Sequence, residues 1–193
     1  MLQTIYKEKC DNGDGKACFA GIFVSGDLIR VKIDGQWSFL DKNGEIIAKP
    51  KFDSFGIFSE GLASVGLNGK YGFIDKNGKF ITKPKFDNLG VFSEGLAKVK
   101  LNGKYGFIDK NGKFITKPKF DYAWSFSEGL AGVGLNGKYG FIDKNGDFVI
   151  KPNFDDAWYF REGLAKVKLN GKYGFIDKSG EFAIDPKFDN IGY

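Results

Sequence analysis

The chain has 193 residues, 42% of them hydrophobic and 17% aromatic, a balance that belongs to folded rather than disordered proteins. Lys and Arg number 29 against 24 Asp and Glu, so the net charge of +5 is mild; with both signs interspersed, it does not point to a nucleic-acid partner. No apolar run reaches the ~18–20 residues of a membrane-spanning helix, and no secretory apolar segment follows Met1, although a chain trimmed of its signal would read the same.

Residues 1–23 stand apart from the rest of the chain. Ile5–Cys10 and Lys16–Phe23 can each form a short helix, broken by Asn12-Gly13-Asp14-Gly15, so a helical hairpin is expected there. Folding it back over that turn brings Cys10 and Cys18 side by side. Gly13-Asp14 between the cysteines, and Ala17-Cys18 followed by Gly21, resemble one incomplete unit of the cysteine-rich Sel-one-like α/α repeats. That resemblance implies a Cys10–Cys18 disulfide and hence an oxidising compartment. The other reading is a pair of reduced, partly buried thiols in a cytosolic protein. Asp11–Gly15 lacks the acidic residue and the closing glutamate of a calcium loop, so a plain turn is expected and no metal site is assigned.

From Val24 onward the chain repeats itself every 34 residues: 24–57, 58–91, 92–125, 126–159 and 160–193. A fixed period of this size announces a repeat architecture and outranks any local motif. In the third copy, Leu96–Leu101 alternates, with Ala97, Val99 and Leu101 on one face and Lys98 and Lys100 on the other, a strand with one wet face. Asn102-Gly103 is a hairpin turn, and Lys104–Asp109 returns as a second strand whose Gly106 permits close approach of a neighbouring backbone or an aromatic ring. Lys110-Asn111-Gly112 turns again into Phe114–Thr116, and Pro118 is expected to end that strand. Each repeat is thus predicted to be a three-stranded meander plus a linker. No single meander buries both apolar faces, so neighbours must stack.

Gly-Lys-Tyr-Gly-Phe-Ile-Asp, the Asn-Gly turn, Ile-x-Lys-Pro and Phe-Ser-Glu-Gly-Leu-Ala together resemble the bacterial WG (KWG) repeat family over Val24–Tyr193. The family's tryptophan survives only at Trp37, with Tyr71, Tyr105, Tyr139 and Tyr173 in its place, and its glycine is Ser38 in the first copy. The resemblance implies a mainly β tandem array and an interaction scaffold without catalysis. Five copies suit either an open, solenoid-like array or a five-bladed propeller. The alternation of basic and small residues on the first strand (Arg30/Lys32, Ser64/Gly66, Lys98/Lys100, Gly132/Gly134, Lys166/Lys168) favours the open array. So does a period short for a propeller blade.

Without histidine, the chain has no Ser-His-Asp or Cys-His catalysis, and no cofactor-binding fingerprint is present. The recurring carboxylates Asp75/Asp109/Asp143/Asp177, Asp87/Asp121/Asp155/Asp189 and Glu60/Glu94/Glu128/Glu162 occupy the same place in every unit. They are expected to serve turns and lysine pairs rather than glycoside hydrolysis. Two features point to binding. Tyr122, Trp124, Trp158 and Tyr159 fall at a linker stretch that varies among near-identical units. Arg30, Lys32, Lys98, Lys100, Lys166 and Lys168 form a basic stripe suited to an anionic polymer. Each feature also has a plainer reading: Trp124 and Trp158 fill the core between repeats, and the stripe is an ordinary solvated strand face that discourages edge-to-edge aggregation. The expected function is a protein-interaction scaffold in the bacterial envelope or outside the cell. The alternative is a module that binds cell-wall glycan.

Overall fold

The computed structural model describes residues 24–25, 28–41 and 43–191. The helical hairpin, the Sel-one-like fragment and the Cys10–Cys18 pair therefore lie outside the described residues. Two compact units divide the chain, Met1–Lys85 and Phe86–Tyr193. All regular structure among the described residues is β.

The first unit holds two antiparallel sheets. One comprises β1 (Val24–Ser25), β2 (Leu28–Ile33), β3 (Gln36–Leu40) and β4 (Ile46–Phe52) in that order. The other comprises β5 (Ser54–Ser59), β6 (Leu62–Leu67), β7 (Lys70–Asp75) and β8 (Phe80–Phe86). Phe39 and Phe52 of the first sheet share a core with Ala63, Val65 and Ile74 of the second.

The second unit holds three such sheets. The first is β9 (Asn88–Leu89), β10 (Leu96–Leu101), β11 (Lys104–Asp109) and β12 (Phe114–Phe120). The next is β13 (Tyr122–Ala123), β14 (Ala131–Leu135), β15 (Lys138–Ile142) and β16 (Phe148–Phe154). The last is β17 (Asp156–Arg161), β18 (Leu164–Leu169), β19 (Lys172–Ile176) and β20 (Phe182–Phe188).

Each repeat is therefore four-stranded, which corrects the three-stranded meander. The residues read as a linker are the missing strand: Tyr122 pairs with Gly134 and Ala123 with Val133. What closes this extra hairpin is Ser-Glu-Gly-Leu. Glu94 and Gly95 have φ of 54° and 88°, and Ser93 bridges Leu96. Positive φ at both central residues is the type I′ geometry, the same as at Asn102 (52°) and Gly103 (79°). Asparagine enters the left-handed region cheaply and advertises the turn; glutamate does not, so the sequence pattern conceals it. Four strands fit into 34 residues because both I′ turns are minimal, so a short period carries no weight against a propeller-type sheet.

Pro118 does not end its strand. β12 runs through it, and the register slips there: Tyr105 pairs with Phe120 but Phe107 pairs with Thr116. Proline sits in this bulge because the bulged residues have left the ladder. The bulge presses backbone onto Gly106, where a Cβ would lie 2.4 Å from the Thr116 carbonyl oxygen. This is the close backbone approach that Gly106 was expected to permit.

The basic face of the first strand is not simply wet either. Lys98 lies opposite Phe107 in the ladder, and Phe107 is fully buried. That face, with Leu96 and Phe107, packs on Ala131, Val133 and Ile142 of the next sheet. Leu130 and Phe141 pack in the same way on Ala165, Val167 and Ile176. A phenylalanine from the incoming segment, Phe-Ser-Glu-Gly at Phe126 and Phe-Arg-Glu-Gly at Phe160, seals each interface. Phe126 meets Phe107 edge-on at 5.0 Å and Phe160 meets Phe141 at 4.8 Å, each ring stabilising by about 1.5–3 kcal/mol through burial alone.

Candidate partner-binding groove

The recurring acids do the structural work foreseen for them. Asp109 accepts the Asn111 and Lys113 N–H groups at 2.9 and 2.8 Å, and Asp41, Asp75, Asp143 and Asp177 repeat the arrangement. Asp121 accepts the Asn136 N–H and pairs with Lys104, while Asp155 accepts Gly171 N–H and pairs with Lys138 at 2.7 Å. The Lys104 ammonium, followed by the Asn136 N–H, holds the Asp121 carboxyl below the usual carboxylate range. Among the described residues, no cluster of three or more His, Cys, Asp or Glu is placed to hold a metal ion.

Glutamates of the Ser-Glu-Gly turns reach across to the next sheet. Glu94 accepts the Gly129 N–H at 2.9 Å and pairs with Lys144 at 3.0 Å. Glu128 accepts the Gly163 N–H at 3.0 Å and pairs with Lys178 at 3.1 Å. Burial alone would push the Glu94 carboxyl up, but Lys144 and the Gly129 N–H outweigh it and hold it below its ordinary value. For Glu128 the Lys178 ammonium leads, with the Gly163 N–H behind it, in the same direction. The serine hydroxyls complete the clasp: Ser93 donates to the Phe126 carbonyl at 2.9 Å and Ser127 to the Phe160 carbonyl at 2.7 Å.

Of the basic stripe, Lys98 is consumed internally. Its ammonium donates to the Ala123 carbonyl at 3.0 Å, and burial pulls its pKa down. Lys100 lies 5.1 Å from the Tyr105 ring centre and Lys168 5.0 Å from that of Tyr173. In the first unit, Arg30 and Lys32 lie over Trp37 at 4.7 and 5.6 Å. Such cation–aromatic stacking contributes about 0.5–1 kcal/mol at exposed sites. The stripe is thus largely a set of lysine and arginine stems laid over the aromatic residue of the second strand.

The variable aromatics divide into two roles. Trp124 is partly buried and locked: its indole N–H donates to the Ala157 carbonyl of the next sheet at 2.9 Å. Gly132 makes room for it, since a Cβ there would lie 3.1 Å from Trp124 Cδ1. In the preceding sheet the bulk is exchanged, with Gly90 making room for Lys98 at 3.0 Å. Tyr122 stacks edge-on between Trp124 and Tyr139 and faces this same packing. Trp158 carries no such lock. Its ring is capped by the Lys166 ammonium at 4.1 Å, and its indole N–H has no partner among the described residues. Tyr159 beside it is 47% exposed.

Trp124, Trp158, Tyr159 and Lys166 line one groove of about 590 Å³ on the last sheet, together with Arg161, Glu162, Leu164 and Phe175. The last four were not anticipated. Arg161 carries a legible signal, since it replaces the serine of Phe-Ser-Glu-Gly. Leu164, Phe175 and Glu162 carry none, being identical to residues that are buried or clasped in the sheets before. They differ from those residues in exposure. Phe107 and Phe141 are fully buried, whereas Phe175 is half-buried and lines the groove. Glu94 and Glu128 side chains are 28% and 30% exposed, Glu162 is 87% exposed.

Four-stranded sheets that recur along the chain, clasped sheet to sheet within the second unit and bearing an aromatic groove, define a tandem β-repeat protein. Residues 37–71, 71–105, 105–139, 139–173 and 173–193 each match the WG containing repeat, and the chain belongs to that family. A search of curated proteins gives no match. Among solved structures the chain is similar to a eukaryotic initiation factor, with 12% identity and a TM-score of 0.53, covering 88% of this chain and 53% of that one. It is also similar to Hsv2 of Kluyveromyces lactis (10% identity, TM-score 0.49, 81% and 59% covered). A third is virginiamycin B lyase of Staphylococcus aureus (21%, 0.43, 89% and 70%). The chain thus spans about three fifths of the length of Hsv2. At such identities the first likeness concerns the fold alone, a propeller-like repetition of small sheets.

Proposed function

We propose that this protein is a non-catalytic repeat scaffold that binds a protein partner through the groove on its last sheet. The observation that carries the reading is the convergence of Trp158, Tyr159 and Lys166 with Leu164 and Phe175 in one open, mostly apolar cleft. Aromatic anchors in a partly desolvated pocket, rimmed by charges such as Arg161 and Glu162, are the usual composition of a binding hot spot. Absorption of the recurrent acids into turns and inter-sheet clasps supports a role without catalysis. The expected setting is the bacterial envelope or the cell exterior, where an interaction scaffold meets cell-surface proteins.

The test is site-specific photo-cross-linking in the producing cells, with the photoreactive residue placed at Tyr159 or at Val149, an exposed position away from the groove. A discrete protein adduct from Tyr159 and none from Val149 is expected. Adducts of equal yield from both positions, or sedimentation of the purified protein with bare cell-wall sacculi in a Trp158-dependent manner, would replace the protein reading with the glycan one.

A further inference from the structure

We propose that the second unit carries a separate binding site for a primary alkylammonium, the charged end of a protein lysine or of a free amine, where Tyr122, Tyr139 and Asp156 meet. The site shares no residue with the Trp158 groove. Tyr105 on β11, Tyr122 on β13 and Tyr139 on β15 form a row, with ring centres 6.3 and 6.0 Å apart. Tyr122 and Tyr139 both lie opposite Gly134 in the ladder, whereas one sheet on Asp156 and Tyr173 lie opposite Lys168. A carboxylate thus stands beside Tyr139 in the place that a phenol holds beside Tyr105. Tyr122, Tyr139 and Asp156 are all partly exposed, so the row is open to a ligand.

The fold leaves the negative charge at this spot unanswered. Among the described residues, the Asp156 carboxylate accepts the Ala157 N–H at 2.9 Å and forms no ion pair. Lys168, its ladder partner, lays its ammonium over Tyr173 at 5.0 Å instead. Asp121, the other acid acting on Tyr139, is paired with Lys104. Burial, and then neighbouring charges that include Asp156, push both phenols above their ordinary pKa, so both keep their hydroxyls near neutral pH. The lysine that covers the second-strand ring in the flanking sheets is lacking here: Lys100 lies over Tyr105 at 5.1 Å, but the corresponding residue beside Tyr139 is Gly134. A Cβ there would lie 3.2 Å from both Tyr122 Cβ and Tyr139 Cε1, so the two tyrosines fill the space a lysine stem would need. A primary ammonium suits these groups: the rings attract its charge, and the carboxylate and phenol oxygens accept its N–H groups. A guanidinium is served less well, because its fork calls on both carboxylate oxygens and Oδ1 already accepts Ala157. A quaternary ammonium would leave the oxygens without a donor.

The Ala157 amide reports directly on the carboxylate, because its N–H donates to it. In the isotope-labelled 193-residue protein, n-butylammonium chloride should shift the Ala157 amide resonance in a saturable way at millimolar concentration, and sodium chloride at the same concentration should not. Asp156→Asn, which keeps the shape of the side chain, should weaken binding by about tenfold or more, and Tyr139→Leu by severalfold. Asp147→Asn, at an exposed turn, should leave it unchanged. A blocked Gly-Lys-Gly peptide that binds more tightly than n-butylammonium supports the site and assigns the amine to a protein; the reverse order supports it and assigns a free amine. No saturable shift with either probe overturns the proposal, as does an equal shift in Asp156→Asn. Tetramethylammonium binding as tightly as n-butylammonium overturns it too, since that ion has no N–H to donate.

Discussion

The interface between the fourth and fifth repeats and the outer face of the fifth present the same residues in two circumstances. Between the repeats, Phe141 is sealed by Phe160, Leu130 is buried, and Glu128 is clasped by the Gly163 N–H and Lys178. On the outer face, Phe175 and Leu164 are only partly buried, and Glu162 meets the Arg161 guanidinium at 3.7 Å in place of a clasp. The difference teaches that identical residues of a repeat array can sit in different environments, buried in one copy and partly exposed in another.

The largest effects should arise where the interface is sealed. Phe107→Ala and Phe126→Ala are each expected to lower stability by about 3–5 kcal/mol, measured by urea unfolding. Because their rings touch, the double variant should cost clearly less than the sum. Additive costs would mean that the two rings do not share an interface.

A device internal to each sheet should ignore the comparison altogether. Gly106→Ala and Gly174→Ala both aim a Cβ at backbone, 2.4 Å from the Thr116 oxygen and 2.5 Å from the Ile184 oxygen. Each should cost about 1–3 kcal/mol, inner and last sheet alike. A markedly cheaper Gly174→Ala would show that the bulge of the last sheet depends on a neighbour.

Smaller effects separate the tryptophans. Trp124→Phe removes the bond to Ala157 and should cost about 1 kcal/mol, whereas Trp158→Phe should stay within about 0.5 kcal/mol. Equal costs would place Trp158 in the core.

The smallest effect is a pH dependence. The Glu94 carboxyl is held below its ordinary value of 4.5 in the folded protein. Its contribution is therefore present above about pH 4.5 and is lost as the pH falls through the depressed folded value. Glu94→Gln should flatten the acid limb of the stability profile measured by thermal melts. An unchanged limb would remove the clasp with Lys144 from the account.

Much of this was legible from residues alone. The 34-residue period, the Asn-Gly hairpins, the aspartates that cap their turns and the close approach at Gly106 all follow from local chemistry, and the structure contains each. The fourth strand was not legible, because its turn is built on glutamate, which takes the left-handed backbone at Glu94, Glu128 and the unclasped Glu162 alike but does not advertise a turn as asparagine does. Pro118 misled for a related reason: a bulge lets a strand continue where the ladder bond is absent. Trp124, Trp158 and Tyr159 could be singled out by variation between copies. Phe175 and Glu162 could not, since identical letters have different environments only in three dimensions. Nor does alternation alone reveal that Lys98 spans to the Ala123 carbonyl.

The most direct measurement compares the urea unfolding midpoints of Phe141→Ala and Phe175→Ala. The account predicts a loss of about 3–5 kcal/mol for the first and less than half of that for the second, with the folded Phe175→Ala protein failing to cross-link its partner from Tyr159. Equal losses would contradict it, because Phe175 would then be as much a core residue as Phe141.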